Sequence, residues 1–495
     1  MRVLLRAIEK KTTLMQKPTL VLHMLGLLLL GTSLGYAQPF TRIDIGALVS
    51  DQGDSRSVNF VDYDNDGDLD LFVSNGPQAG STNFLYRNDG EGVFTKIAED
   101  PIVSDHTPSV GTTWGDYDND GDLDLYVTNW YGQPNQLYAN NGDGTFDRIT
   151  TGPPVADPGF SEAASWGDYD ADGDLDLYVA NSDGSLRNAL YTNKGDGSFT
   201  RVDSGAPVTD TRASRSVSWV DYDADGDLDL FVTNEFSQVN DLYRNLRVET
   251  GTPTFVRITT GAIATDEGSS ISSSWGDYDN DGDLDLFVAN AGQNNALYTN
   301  NGDGTFAALT EGPVVNDGGS SYGSTWGDYD NDGDLDLFVT NAFRGLTTNF
   351  LYANNGDGTF TRITDGPIAA ETGWTYGSAW GDYDDDGDLD LFIAKVNDED
   401  NVLYRNDAAA GNHWFTLRLI GTASNTSAIG AIVRVKATLG GASVWQMREV
   451  TAQSGYTGQN LRVHFGLGNA TVIDSLRIEW PSGQQQRTAN LPGTS

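Results

Sequence analysis

Seven acidic strings hold most of the chemistry in this chain. The first reads Asp62-Tyr63-Asp64-Asn65-Asp66-Gly67-Asp68-Leu69-Asp70, and its pattern restarts at Asp116, Asp168, Asp221, Asp277, Asp328 and Asp382. Counted from the first aspartate of each string, carboxylates fall at positions 1, 3, 5, 7 and 9, with glycine at 6. Ca²⁺ takes about six to eight hard oxygens at about 2.3–2.6 Å, and a loop wrapped round an ion can present alternate side chains to it. The spacing therefore predicts up to seven Ca²⁺ loops. Carboxylates would come from positions 1, 3, 5 and 9, a backbone carbonyl from position 7, and a sharp turn from the glycine.

The residues concerned are Asp62, Asp64, Asp66, Asp68 and Asp70, then Asp116, Asp118, Asp120, Asp122 and Asp124, then Asp168, Asp170, Asp172, Asp174 and Asp176. The fourth and fifth strings supply Asp221, Asp223, Asp225, Asp227 and Asp229, then Asp277, Asp279, Asp281, Asp283 and Asp285. The last two supply Asp328, Asp330, Asp332, Asp334 and Asp336, then Asp382, Asp384, Asp386, Asp388 and Asp390. Position 12 is Val73 and the flanks read as strands, so these are not EF-hands. Mg²⁺ fits less well, because it demands tight octahedral geometry and gives up water reluctantly. Four or five carboxylates in one loop repel one another, so the metal is expected to act structurally, as a staple across a hairpin.

The strings sit in a repeat of about fifty residues, a period of solenoids and propellers. Each unit reads as four short strands. Strand A carries an aromatic two residues before the first aspartate, namely Phe60, Trp114, Trp166, Trp219, Trp275, Trp326 and Trp380. Strand B, as in Leu123-Asp124-Leu125-Tyr126-Val127, is apolar on both faces and suits a position between neighbouring sheets. Strand C holds Asn-x-Leu-Tyr-x-Asn, and strand D reads Phe-Thr-Arg-Ile or similar. A Gly-Asp-Gly turn joins C to D, and unit four has a longer insertion there, residues 246–253. The last unit lacks strand D, while Phe40-Thr41-Arg42-Ile43 near the start supplies one. The expected fold is all-β: a seven-bladed β-propeller closed by an N-terminal strand, followed by a small C-terminal β domain.

Composition narrows the function. With 71 acidic and 29 basic residues the net charge is −42, which repels phosphate backbones and argues against nucleic acid as a partner. There are no cysteines, which excludes thiolate zinc sites, disulfides and cysteine nucleophiles. A basic start, an apolar run over residues 20–30 and Gly35-Tyr36-Ala37 read as an export signal with cleavage after Ala37. No later stretch is long and apolar enough to span a membrane as a helix. The expected organisation is a signal peptide at 1–37, repeats at 38–407 and a β domain at 408–495. The destination is extracellular, cell-surface or periplasmic.

After Asn406 the heavy acid disappears, and strands are expected over 413–420, 429–438, 444–450, 461–465 and 475–480. The repeat resembles the FG-GAP/VCBS class, also found in integrin α heads, in which Asp-x-Asp/Asn-x-Asp-Gly-x-x-Asp loops bind Ca²⁺. The words Ala428-Ile429-Gly430-Ala431, Arg448-Glu449-Val450, Ser454-Gly455-Tyr456, His464-Phe465-Gly466-Leu467-Gly468 and Trp480-Pro481-Ser482-Gly483 resemble the ASPIC/UnbV domain. Together they resemble bacterial relatives of the cartilage acidic protein family, a resemblance that implies architecture more than activity. Family members usually run on through another short strand beyond Leu491, so a missing final strand is the expectation.

No catalytic set is apparent: there is no nucleophile elbow, phosphate loop or metalloprotease motif. His464 sits in an apolar strand word, where a packed histidine is expected. The rim carrying the B–C and D–A connections varies between units and offers Trp130, Tyr131, Phe160, Phe236, Tyr322, Phe343 and Trp374. Aromatic residues are enriched at protein interfaces and also stack on sugars. The expected function is a non-catalytic adhesion or ligand-binding module for a cell-surface or matrix protein or a glycan. On this reading the metal rim maintains the ring. The alternative is a carbohydrate-active lyase or oxidoreductase, which requires non-loop Asp, His or Tyr clustered at the ring centre.

Overall fold

The structure is a computed structural model describing residues 40–76, 81–343, 348–407, 411–452, 455–458 and 460–493. The expected export signal, residues 1–37, lies outside the described residues. Seven four-stranded antiparallel sheets arise from the repeats, each ordered A-B-C-D. The A strands are Ser55–Val61, Ser109–Gly115, Ser161–Gly167, Ser214–Val220, Ser270–Gly276, Ser321–Gly327 and Thr375–Gly381. Each touches the next, and the last returns to the first, so the sheets form a ring. The last sheet takes Phe40–Ile43 as its outer strand, with Phe40 opposite Asn406 and Ile43 opposite Leu403. The expected all-β propeller closed by an N-terminal strand is thus the fold observed.

Repeated side chains explain the ring. The final Asn of each strand C donates to the carbonyl of the loop tyrosine in the preceding unit: Asn140 to Tyr63 at 2.7 Å, Asn193 to Tyr117 at 2.7 Å and Asn354 to Tyr278 at 2.7 Å. Asn88 makes the same bond to Tyr383 at 2.7 Å, joining the first unit to the last. A buried carbonyl left without a donor would cost roughly 1–3 kcal/mol, so seven such bonds hold the sheets in register.

The strand A aromatics fill the space between sheets. Where glycine precedes the loop, the next unit's indole lies flat on the loop tyrosine: Tyr117 and Trp166 stack with centroids 6.0 Å apart and planes 9° apart. A Cβ on Gly115 would come within 2.9 Å of the Trp166 ring, which is why the close approach needs glycine there. The indole then donates to a strand carbonyl, as Trp166 does to Thr113 at 3.3 Å. Where valine replaces that glycine, at Val61 and Val220, Trp114 and Trp275 keep the edge-on contact with Phe72 and Phe231 that Trp166 makes with Tyr126, but their indole nitrogens are buried without a hydrogen bond.

Sequence reasoning missed some elements. One-turn helices such as Pro101–Ser104 and Pro153–Ala156 lie in the D–A connections. The unit-four insertion folds into a short helix, Arg247–Thr250, closed by Gly251 in the left-handed region. The C-terminal module consists of a two-stranded sheet, His413–Arg418 with Arg462–Gly468, and a four-stranded sheet. The latter runs Ala442–Glu449, Ile432–Leu439, Val472–Glu479 and Gln485–Pro492. Phe415, Val433, Phe465 and Ile478 belong to the core between them. A strand absent from the sequence reading is also present: Gln485–Pro492 pairs along the whole of its neighbour. Its polar composition hid it, because as an edge strand it keeps most residues exposed.

Candidate metal centre

Each acidic string forms the hairpin between strands A and B. Position 4 adopts the left-handed conformation in every loop, from Asn65 at φ 57° to Asp385 at φ 54°, and the position 6 glycine lies between Gly226 at φ 93° and Gly333 at φ 105°. This double reversal curls the backbone so that carboxylates converge. Oxygens of Asp62, Asp64 and Asp66 lie within 4.8 Å of one another, as do those of Asp116, Asp118 and Asp124, of Asp168, Asp170 and Asp176, and of Asp221, Asp223 and Asp225. Position 1 also orders its own loop: Asp116 accepts from the amides of Asp120 at 3.0 Å and Gly121 at 2.9 Å. Position 9 ties the loop to strand C, as when Asp70 accepts from the amides of Tyr63 at 3.2 Å and Asn88 at 2.7 Å.

Electrostatics favour a cation. Burial, reinforced by neighbouring loop carboxylates, pushes Asp168 and Asp221 up to about 7, and burial pushes Asp277 there as well. Burial takes Asp70 to about 8 and Asp285 to about 9. Both oxygens of Asp277 are buried without a hydrogen-bond partner, a donor set suited to a hard cation. The loops therefore fit a metal ion at positions 1, 3 and 5 with position 9 within reach.

Position 7 does something the sequence did not reveal. Its carboxylate faces the neighbouring loop: Asn65 donates to Asp122 at 2.7 Å, Asn119 to Asp174 at 2.9 Å, Asn280 to Asp334 at 2.7 Å and Asn331 to Asp388 at 3.0 Å. The same amide of Asn331 also donates to the carbonyl of Gly387 at 3.0 Å. Three units lack asparagine at position 4, having Ala171, Ala224 and Asp385 instead. At each of those joins an arginine reaches the position 6 carbonyl. Arg247 donates to Gly226 at 3.1 Å, Arg434 to Gly282 at 2.8 Å, and Arg462 to Gly67. The signal was present in the sequence as the Asn/Ala/Asp alternation at position 4, but its partner lies in the next repeat or outside the repeats.

Arg434 and Arg462 belong to the C-terminal module, which sits on the metal rim. Arg418 lies 2.8 Å from Asp62, the amide of Gly466 donates to Asp328 at 3.0 Å, and the Asn119 side chain accepts from the amide of Thr426 at 3.1 Å. His464 is the packed residue expected. It lies between Asn331 at 2.6 Å and Thr416 at 3.2 Å, and burial lowers it to about 3, so it is neutral. The rim that carries the acidic loops is therefore also the platform for the second module.

A loop of that module enters the ring. Thr457 and Gly458 bridge to strand A residues Val58 and Ala379, and Tyr456 is fully buried. Its hydroxyl donates to Glu162 at 2.6 Å, and Glu162 also pairs with Arg215. A cluster of Tyr and Glu thus does occupy the ring centre, but it is satisfied internally: Glu162 and Tyr456 are each 0% exposed.

Family comparison follows the same division. The FG-GAP-like repeat family model matches residues 62–127, 116–179, 168–232, 277–339 and 341–393, and the ASPIC and UnbV model matches 421–495. The chain belongs to the FG-GAP-like repeat family. Cartilage acidic protein 1 of Mus musculus is 28% identical over 253 residues, covering 47% of this chain and 38% of that protein. The Homo sapiens protein is 28% identical over 254 residues, covering 47% and 37%. The chain thus spans well under half the length of these relatives. Among solved structures, an Agrocybe aegerita lectin recognising non-reducing terminal N-acetylglucosamine matches with a TM-score of 0.46, 16% identity, and coverage of 73% and 89%.

On the opposite rim of the FG-GAP-like repeats, the expected aromatics divide. Trp130, Tyr322, Phe343 and Trp374 are half-buried against a cluster that includes Tyr456. Phe343 and Trp374 lie 4.2 Å apart, and the Arg56 guanidinium lies 5.2 Å from the Trp130 ring. Phe160 is half-buried, 6.4 Å from Tyr131. Tyr131 and Phe236 stand out, at 56% and 69% exposed.

Proposed function

We propose that this chain is an exported, calcium-loaded, non-catalytic binding module whose variable rim takes a protein or glycan at a cell surface or in a matrix. The observation that carries the reading is the inequality of the two rims. The metal-loop rim is occupied by the C-terminal module, whereas the opposite rim presents Tyr131 and Phe236 to solvent. Both adopt positive φ, 57° and 59°, a conformation that bulky side chains rarely hold and that collects at functional sites. Calcium suits the loops because all donors are hard oxygens and the geometry is a flexible wrap. In the metal-bound state the cation neutralises the converging carboxylates and fixes the A–B hairpins.

Export is supported by the basic-then-apolar pattern of residues 1–37, and extracellular calcium at about 10⁻³ M suits modules of this kind. The test is a glycan and surface-protein array probed with the full chain and with Tyr131→Ala and Phe236→Ala. The expected result is binding that is lost in these variants and on chelation, while their melting stays unchanged. Undiminished binding by the double variant would overturn the rim as the ligand surface. Product formation from a polysaccharide would favour the lyase or oxidoreductase alternative.

A further inference from the structure

The C-terminal module meets most of the metal rim with groups that suit its carboxylates. Arg418 reaches Asp62, and the Gly466 amide reaches Asp328. Loop 4 is met by another carboxylate. Glu449, the last residue of strand Ala442–Glu449, lies within electrostatic reach of Asp221, and both of its oxygens are closed off from solvent and accept no hydrogen bond. Met447, two residues earlier on the same strand face, packs with Val220 and Tyr222 on either side of Asp221. The pleat therefore holds Glu449 against the ring.

Loop 4 is unusual in other ways. Asp229 Oδ2 is buried and unpartnered, although the corresponding oxygen in the six other loops accepts the position 2 amide. Asp223 Oδ1 is also buried and accepts no hydrogen bond, a feature shared with Asp384 Oδ1 of the last loop. Arg244 lies 2.8 Å from Asp223 and 3.0 Å from Asp225, and Arg247 lies 2.7 Å from Asp227, so two cations already draw on the loop's charge. Ionised, Glu449 returns one negative charge to it, although burial and then Asp221 favour its neutral form when no ion is bound. Two neighbouring carboxyls with enclosed, unaccepted oxygens repel each other when both are ionised, which either a proton or a cation between them relieves.

We propose that Glu449 is a ligand contributed by the C-terminal module to the loop 4 ion, so that one divalent calcium ion is shared between module and ring. Asp221 retains lone pairs for it, since each of its oxygens accepts a single loop amide, from Asp225 at 3.1 Å and Gly226 at 3.0 Å. Module docking and calcium occupancy of loop 4 are then linked, each strengthening the other by the same factor. The inference rests on the calcium reading of the loops.

The test uses the full chain, with calcium alone as probe. Bound calcium is counted by elemental analysis after dialysis against a range of free calcium, and hydrogen exchange is followed over residues 442–449. Glu449→Gln, nearly isosteric, is expected to weaken one site at least tenfold and to abolish calcium-dependent protection of that strand. Asp221→Asn is expected to affect the same site, and the double variant to lose no second ion. Equal calcium binding by wild type and Glu449→Gln, with equal protection, would overturn the inference while leaving the calcium reading intact. No calcium bound by wild type would overturn that reading itself. Should Glu449→Gln fail to fold, Asp221→Asn alone decides: retained calcium-dependent protection of residues 442–449 would contradict the shared ion.

Discussion

The hydroxyl of Tyr456 donates to the carboxylate of Glu162 at 2.6 Å across 294 residues of chain. The bond puts the tip of the C-terminal module at the centre of the ring, beside Tyr376 at 5.1 Å and Arg215 at 3.5 Å. It makes the module part of the ring's core as well as a cover on its rim.

Removing that hydroxyl tests the contact. Tyr456→Phe keeps the ring packing but leaves one oxygen of a fully buried Glu162 carboxylate unsatisfied. Hydrogen bonds to charged groups contribute about 1.5–3 kcal/mol, and a loss of about 2 kcal/mol is expected in denaturant unfolding. Exchange protection of residues 455–458 is expected to fall with it.

Position 4 of the loops predicts opposite signs for two glycine substitutions. Asn119→Gly removes the bonds to Asp174 and Thr426 without backbone strain, and is expected to cost roughly 1–2 kcal/mol. Ala171 makes no such bond and holds φ 57°, where a Cβ costs about 1–2 kcal/mol. After the extra chain entropy of glycine, Ala171→Gly is expected to stabilise by about 0.5 kcal/mol. Paired denaturation curves with unchanged slopes check both.

The pH dependence of the metal-free protein has a definite sign. Asp168, Asp221 and Asp277 rise from 3.8 to about 7, and Asp285 to about 9, so the folded chain holds protons that the unfolded chain has released. Stability in chelator should therefore fall as pH rises from about 4 through about 7 to 9. Calcium must displace those protons, so its affinity should rise over the same window. Melts at pH 5 and pH 8 in chelator, beside calcium titrations, measure both. A chelated protein more stable at pH 8 than at pH 5 would contradict the assignment.

The repeated parts of this molecule were legible because repetition averages over context. Seven aspartate strings, the strand A tryptophans and Phe40-Thr41-Arg42-Ile43 each declare themselves by recurrence, and the ring closes where they indicate. What recurs nowhere was hidden. Arg434, Arg462, Tyr456 and Glu449 each act once, on residues more than a hundred positions away, and no periodicity marks them. Position 7 was half legible: its aspartate was read as part of the metal loop, whereas its side chain serves the neighbouring loop. The alternation of Asn, Ala and Asp at position 4 shows its purpose only when adjacent loops are side by side.

The most direct measurement of the account is a thermal melt of the full chain in calcium, in magnesium and in chelator. Each loop that binds calcium at about a hundredfold excess over its dissociation constant adds about 2.7 kcal/mol, so several loops together should raise Tm by well over ten degrees, roughly, with magnesium giving much less. A Tm that is the same in calcium and in chelator would contradict the central claim that these loops hold the ring and its C-terminal module through bound calcium.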